Sequence, residues 1–299
     1  VLAELVAAGV PVRPGPSALA VAQDKIHMRE RLTALGAPVP AWASVHDAAG
    51  LGGFLDANGG AAVVKTPRGG YDGKGVRIVH TAGAADDWFA ADATGGPLLV
   101  EELVPFRREL AQLVARRPSG DVVAWPLVET VQRDGVCAEV FAPAPDAGAL
   151  DAAARDLATS IASGLDVTGV LAVELFETED GRLLINELAM RPHNTGHWTI
   201  DGAVTSQFEQ HLRAVLDLPL GDPSPTSVWS VMVNVLGGPA GATMPDRYPA
   251  ALAGEPAVKF HSYGKQSRPG RKVGHVTATG AELDVTRSRA RAAAAFFQN

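Results

Sequence analysis

The sequence holds one cysteine, Cys137, among 299 residues, which excludes an internal disulfide and leaves no Cys-x-x-Cys pair for zinc or redox chemistry. With no histidine near it in sequence, Cys137 reads as a small buried hydrophobe rather than a nucleophile, and one free thiol suits a reducing cytosol. No apolar run approaches the ~18 residues a membrane-crossing helix needs, so no membrane partner is expected. Positive charge is also scarce. Twenty-six Lys and Arg against 33 Asp and Glu give a net charge of −7, a field that repels polyanions and speaks against nucleic acid as a partner. Any anion site must therefore be local. The amino terminus, "VLAELVAAGVPVRPGP", lacks an initiator Met, a basic region and a cleavage pattern. Leu2, Leu5 and Val6 stand at helical spacing before Gly9, and are expected to be the last helix of a preceding unit.

What is present fits an ordinary globular chain: 46% of residues are hydrophobic and 20% charged, with length for two domains or one elaborated domain. No internal repeat is visible. "SALAVAQDKIHMRERLTALG" predicts one helix over 17–36, capped by Ser17 and stopped by Gly36. "APVPAW" reads as an extended linker, 47–58 as a helix, and 61–65 and 76–80 as strands flanking a glycine loop. A helix near 84–93 follows, then a strand ending in Glu101 and Glu102, with Glu109 on the next. A meander over 111–141 turns at "QRDG", and 149–164 is a helix ended by Gly164. After a hairpin over 170–189 and a helix over 203–217, "LPLGDPSPTS" is the best domain boundary. The remainder, 227–299, alternates short strands and turns before an Ala-rich helix.

The glycine loop, "KTPRGGYDGKG", sits between two strands. A Walker loop or a dinucleotide fingerprint runs from a strand directly into a helix, so neither template fits. Two readings remain: a bare hairpin tip, or a flap whose amides close over phosphates beside the charge of Lys65.

In the hairpin, a two-residue Asp180-Gly181 turn would set Glu179 against Arg182 and make paired positions sum to 361. Glu174 and Glu187 would then face each other with Cβ atoms ~5 Å apart, an arrangement that calls for a cation between them. Oxygen-only ligands point to Mg²⁺ rather than zinc. The other reading is a shifted register with each glutamate on its own Arg or Lys. "MRPHNTGHW" offers Arg191, His193, Asn194 and His197, and "HSYGKQSRPGRKVGH" offers Lys265, Arg268, Arg271 and Lys272. In an acidic chain such a cluster suits a phosphate or carboxylate, and as a solvated loop it would bind nothing. His193 and His197 make a poor metal pair, because Pro192 and Gly196 oppose a helix there.

Together "KTPRGGYDGKG", "EELVPFRREL", "LINELAMRPHNTGHWTIDGAVTSQFEQHLRA" and "YGKQSRPGRKVGH", in this order, resemble the ATP-grasp enzymes, and among them the N5-carboxyaminoimidazole ribonucleotide synthetase family of purine biosynthesis. The resemblance covers the whole chain. It implies an α+β fold: a remnant of an amino-terminal α/β domain at 1–20, an ATP-grasp domain at 21–218 whose two subdomains grip ATP, and a small, mainly β carboxy-terminal domain at 219–299. It implies a cytoplasmic ligase, a homodimer in full-length form, that converts ATP, bicarbonate and 5-aminoimidazole ribonucleotide through carboxyphosphate to the carboxyamino product, ADP and phosphate.

By the same resemblance Lys25 and Lys65 hold nucleotide phosphates. The backbone of Glu101, Glu102, Leu103 and Val104 holds adenine and Glu109 the ribose, with Gln132 and Asn186 near the nucleotide and Glu174 and Glu187 on Mg²⁺. Gly70, Tyr71, Asp72, Gly73, Lys74 and Gly75 form the flap, with Asp72 as acid/base group and Tyr71 and Lys74 also reaching substrate. Lys265 assists carboxyl transfer, and Arg191, His193, Asn194, Arg271 and Lys272 bind the ribonucleotide. Gln132 stands where relatives often have His, and Met190 where Pro is common. An ATP-grasp ligase with another acceptor, or a nucleotide-binding fragment without turnover, are the alternatives.

Overall fold

The computed structural model describes residues 1–69, 75–91 and 96–298. Helix α1 (Leu2–Ala7) ends near Gly9, whose φ of +79° is left-handed. The helix expected over 17–36 is two, α2 (Pro16–Gln23) and α3 (Lys25–Ala34). Asp24 leaves helical geometry and accepts hydrogen bonds from the amides of Ile26 and His27 at 3.0 and 3.1 Å, so it caps a new helix instead of continuing the old one. Ser17 lies inside α2 behind Pro16 rather than at its cap.

A smaller sheet follows. It comprises β1 (Trp42–Val45), β2 (Ala62–Lys65) and β3 (Val76–Val79), and β4 (Leu98–Glu102), in the order β1-β4-β2-β3. Helix α4 (Ala48–Ala57), capped by Asp47, packs Leu51, Phe54 and Leu55 against Val45, Val64 and Val100. Helix α5 (Asp86–Ala91) is shorter than expected because a tighter turn, Ala82–Ala85, precedes it. Strand β1 begins inside what reads as an extended linker. β2 and β3 pair antiparallel with Lys65 opposite Val76, so the strand-loop-strand order holds. Gly70, Tyr71, Asp72, Gly73 and Lys74 lie outside the described residues.

The larger sheet is built from β5 (Phe106–Arg116), β6 (Val122–Ala124), β7 (Val128–Arg133) and β8 (Val136–Ala142). After α6 (Ala149–Gly164) come β9 (Gly169–Thr178) and β10 (Leu183–Ala189), then α7 (Thr199–Gly202), which the sequence does not predict, and α8 (Gln207–Val215), inside the helix expected over 203–217. It is completed by β11 (Trp229–Leu236), α9 (Tyr248–Gly254), β12 (Lys259–Ser262), β13 (Lys272–Gly280) and α10 (Leu283–Ala295). The strand order is β10-β9-β5-β7-β8-β11-β13-β12, with β6 on β5. The Pro-rich connector interrupts the chain but not the sheet, because β11 pairs with β8.

Period-two alternation divides this sheet's two faces. Leu110, Val114, Leu171, Val173 and Leu175 bury themselves against Val21, Met28, Leu32 and Ile161 of α2, α3 and α6. Ala111, Leu113 and Ala172 face the other way, under Trp125 and Trp198. Glu109 and Glu174 share this second face, two residues from Ala111 and Ala172. Ala290, Ala293 and Phe297 close the far end over Val231, Val233 and Val276.

Since Asp24 starts the helix that carries Lys25, Asp24→Ala should cost about 1 kcal/mol in denaturant unfolding while Asp24→Asn, whose amide oxygen can still cap, loses less. Equal losses would assign the effect to the charge pair with Arg68 at 3.0 Å.

Candidate nucleotide and acceptor site

The hairpin turn has three residues, not two. Thr178 donates its amide to the Arg182 carbonyl at 2.9 Å, Gly181 takes a φ of +79°, and Leu183 pairs with Glu177, Leu184 with Phe176 and Ile185 with Leu175. Continued without a break, this register would set Asn186 against Glu174. A bulge at Asn186 inserts one residue and returns Glu187 to Glu174. The expected pair is present, by a route different from the simple turn.

Three carboxylates now share one face: Glu174 and Glu187, with Glu109 diagonally placed on β5, since Ala111 is the partner of Glu174. Burial, then the charges of Glu187 and Glu109, push the Glu174 carboxyl up to about 7 against the pull of Lys272 and Arg191. His193 Nε2 lies 3.5 Å from Glu174, but burial and the nearby cations push its imidazole down to about 3. It is neutral at ordinary pH and does not balance the pair. Lys25 Nζ stands 3.9 Å from Glu187. Unbalanced oxygen donors of this kind fit a hard divalent cation. Among the described residues no group of three His, Cys, Asp or Glu is arranged to hold a metal; an ion held by the pair would take its other ligands from water and phosphate.

A cationic grip reaches this edge from the smaller sheet. Lys65 Nζ is 2.5 Å from Glu101 and 3.3 Å from Asn186 Oδ1. Arg29, fully buried, donates to the Glu101 carboxylate and, through Nη2, to the Asn186 carbonyl at 2.6 Å. Burial would raise the Glu101 carboxyl, but the charges of Arg29 and Lys65 outweigh it and hold it below the usual range. Glu101 thus turns its side chain into the grip, whereas the sequence reading used only its backbone. Arg29 was missed. Its one signal is its place four residues after Lys25, on the same helical face.

Glu102 accepts from the amide of Ala41 at 3.1 Å, and Leu103 and Val104 lie in the coil before β5, exposed and buried respectively. Gly75, with a φ of +73°, starts the return to β3. Burial pushes Glu109 up, and a hydrogen bond from Gln132 partly offsets this.

On the acceptor side, burial and the charges of His261, Lys272, Arg191 and Lys265 push His197 down to about 4. Three of the predicted cations, Arg191, Lys265 and Lys272, therefore lie within electrostatic reach of one imidazole. Gln207, buried and also missed, clamps their loop: it accepts from the His193 amide at 2.7 Å, donates to the His193 carbonyl at 2.8 Å and bonds His197 Nδ1 at 2.8 Å. Asn194 is half-buried in the loop after β10, and burial pushes the Cys137 thiol up to about 12. Arg271 is held through its backbone, its carbonyl accepting from the Gly237 amide at 2.8 Å.

Two antiparallel sheets that bring lysines and an arginine to an edge with paired carboxylates fit an ATP-grasp enzyme, and residues 30–208 match the ATP-grasp domain family. Residues 230–289 match the phosphoribosylaminoimidazole carboxylase C-terminal domain. The N5-carboxyaminoimidazole ribonucleotide synthase of Mycobacterium bovis is 53% identical over 98% of this chain and 69% of its own length. The Thermus thermophilus synthetase structure superposes with a TM-score of 0.87 at 37% identity, covering 100% of this chain and 78% of that one. The Aspergillus clavatus enzyme, solved with ADP and 5-aminoimidazole ribonucleotide, gives 0.87 at 32% identity, covering 97% and 77%. The chain belongs to the N5-carboxyaminoimidazole ribonucleotide synthase family of ATP-dependent ligases. No helix among the described residues is long and apolar enough to cross a membrane.

The Glu174 carboxyl binds its proton more tightly folded than unfolded, so it lowers metal-free stability as pH rises from the ordinary carboxylate range through about 7. Glu174→Gln should flatten that fall in thermal melts run across the interval without divalent metal. An unchanged slope would place the strain elsewhere.

Proposed function

We propose that this chain carries out its family's reaction, the ATP-dependent carboxylation of 5-aminoimidazole ribonucleotide, with bicarbonate as carboxyl source and carboxyphosphate as intermediate. The observation that supports it most is the pairing of Glu174 with Glu187, with Lys25 at 3.9 Å from Glu187 and Lys272 within electrostatic reach of Glu174. In this reading Lys25 and Lys65 bind nucleotide phosphates, the backbone of 101–104 takes adenine, and Glu109, with Gln132, takes the ribose. Asn186 positions Lys65. Glu174 and Glu187 would hold Mg²⁺, which when bound screens the phosphates and favours transfer of the γ-phosphoryl group. Arg191, His193, Asn194, Arg271 and Lys272 bind the ribonucleotide, and Lys265 stands by the transferred carboxyl group. Residues 70–75 are assigned as the cover over the phosphates, with Asp72 as acid/base group and Tyr71 and Lys74 contacting substrate. Excluding water protects an acyl phosphate that hydrolyses readily.

A division into 21–218 and 219–299, with 1–20 preceding, is proposed for the chain path. A homodimer belongs to the same proposal, and Phe208 and Leu212 on α8 with Leu216 at its carboxy-terminal cap, exposed in a row, support it.

The test is phosphate release from Mg–ATP with bicarbonate, with and without the ribonucleotide. Turnover is expected to need all three, and phosphate release indifferent to the ribonucleotide would overturn the reading. Arg271→Ala and Lys272→Ala should each raise KM for the ribonucleotide by about tenfold, equivalent to ~1.4 kcal/mol, with KM for ATP little changed. A parallel rise in both constants would assign the loop to the nucleotide or the fold.

A further inference from the structure

The loop over 263–272 carries Lys265, Arg271 and Lys272, and its two ends are held in different ways. At the far end main-chain bonds fix it: Arg268 donates to the Gly237 carbonyl at 3.0 Å and Arg271 accepts from the Gly237 amide at 2.8 Å. At the near end Gly264, at a φ of +65°, turns the chain away from β12, and Lys265 is exposed. There the Tyr263 amide donates to the Val273 carbonyl at 2.9 Å and the Gly264 amide to the Ser262 hydroxyl at 3.3 Å, and the side chain that meets Lys265 is that of Tyr263.

Tyr263 is half-buried, and its hydroxyl lies 2.8 Å from His275 Nδ1 on β13. The Lys265 ammonium stands 5.2 Å from the centre of its ring, within range of a cation–π contact. His275 is 1% exposed. It is stacked on His261 at 4.5 Å and on His197 at 5.2 Å. Each outer imidazole is itself tied down, His261 to Asp201 at 2.7 Å and His197 to the clamp residue Gln207 at 2.8 Å. Burial and the neighbouring imidazoles push His275 far down, so it is neutral and can share one proton with the phenol. The stack joins β12, β13, the 193–197 loop and, through Asp201, α7.

We propose that Tyr263 is a positioning residue for the reaction: seated on the buried His197–His275–His261 stack, it presents its ring face to Lys265 and fixes that ammonium over the acceptor site. This rests on the role given to Lys265 above. Gly264 leaves the Lys265 backbone with no Cβ at the preceding turn, and a four-carbon side chain carries much rotamer freedom. An aromatic face and a main-chain bend are what narrow it. The hydroxyl sets the ring plane, because the phenol must reach Nδ1 of an imidazole that cannot move between its neighbours.

The experiment compares Tyr263→Phe, Tyr263→Leu, Lys265→Ala and the Tyr263→Leu/Lys265→Ala double variant in steady-state carboxylation, with thermal melts on each. Tyr263→Phe keeps the ring and should stay within about fivefold of wild type in kcat/KM for the ribonucleotide, the scale of one neutral hydrogen bond. Tyr263→Leu should lower kcat/KM for the ribonucleotide by about tenfold with KM for ATP unchanged, and should add little once Lys265 is already Ala. If Tyr263→Leu folds and equals wild type, or if its effect multiplies fully with that of Lys265→Ala, the positioning role is wrong. If Lys265→Ala itself is silent, the failure lies in the role assigned to Lys265. Should Tyr263→Leu melt out, His275→Gln supplies the second test, with a selective effect on the ribonucleotide expected and equal effects on both substrates contradicting it.

Discussion

Glu174 and Glu187, opposite one another on neighbouring strands, repel, and most of the site's architecture answers that repulsion. A pair of like charges at this spacing destabilises a sheet. The fold imposes it through a bulge at Asn186, where continued register would have placed an amide. The same bulge frees the Asn186 carbonyl and side chain to meet Arg29 and Lys65. One inserted residue thus creates a demand for a cation and ties Arg29 and Lys65 to the strand that carries the pair.

Helix α3 and the smaller sheet contribute charge of the opposite sign. Arg29 and Lys65 share Glu101, an arrangement that keeps a buried and a half-buried cation close without mutual repulsion deciding their positions. Lys25, started by the Asp24 cap, approaches Glu187. Seen from the other side, Gln207 and the imidazole stack hold the acceptor loops, so the cations there stand on a rigid base. Charge is thereby sorted within an acidic chain: carboxylates at the centre, cations on two flanks.

Much of the fold was legible in sequence, because glycines, the Asp134-Gly135 turn and long alternating strands leave few options. The unread parts have physical causes. Asp24 sits in a helical pattern and breaks it only because its side chain competes for the amides ahead. A bulge adds a residue without any compositional mark, so the carboxylate pair was reached from a turn of the wrong length. Arg29 and Gln207 became visible only in three dimensions, since a buried Arg or Gln is defined by partners distant in sequence. β1 was hidden by the prolines before it. Of the expected site residues, Lys25, Lys65, Glu101, Glu109, Asn186, His193 and Lys272 are linked by contact or charge to the Glu174–Glu187 pair and its bulge, while Gly70, Tyr71, Asp72, Gly73 and Lys74 lie outside the described residues.

The direct test of this account is the affinity for ATP measured calorimetrically with and without Mg²⁺, in wild type and in Glu187→Gln. Binding to wild type should depend strongly on the metal, and the variant should lose about 2 kcal/mol or more of that dependence, the scale of a severed charge pair, with its melting temperature preserved or raised. Equal Mg–ATP affinity in both proteins would contradict the claim that the Glu174–Glu187 repulsion is relieved by a cation bound with the nucleotide.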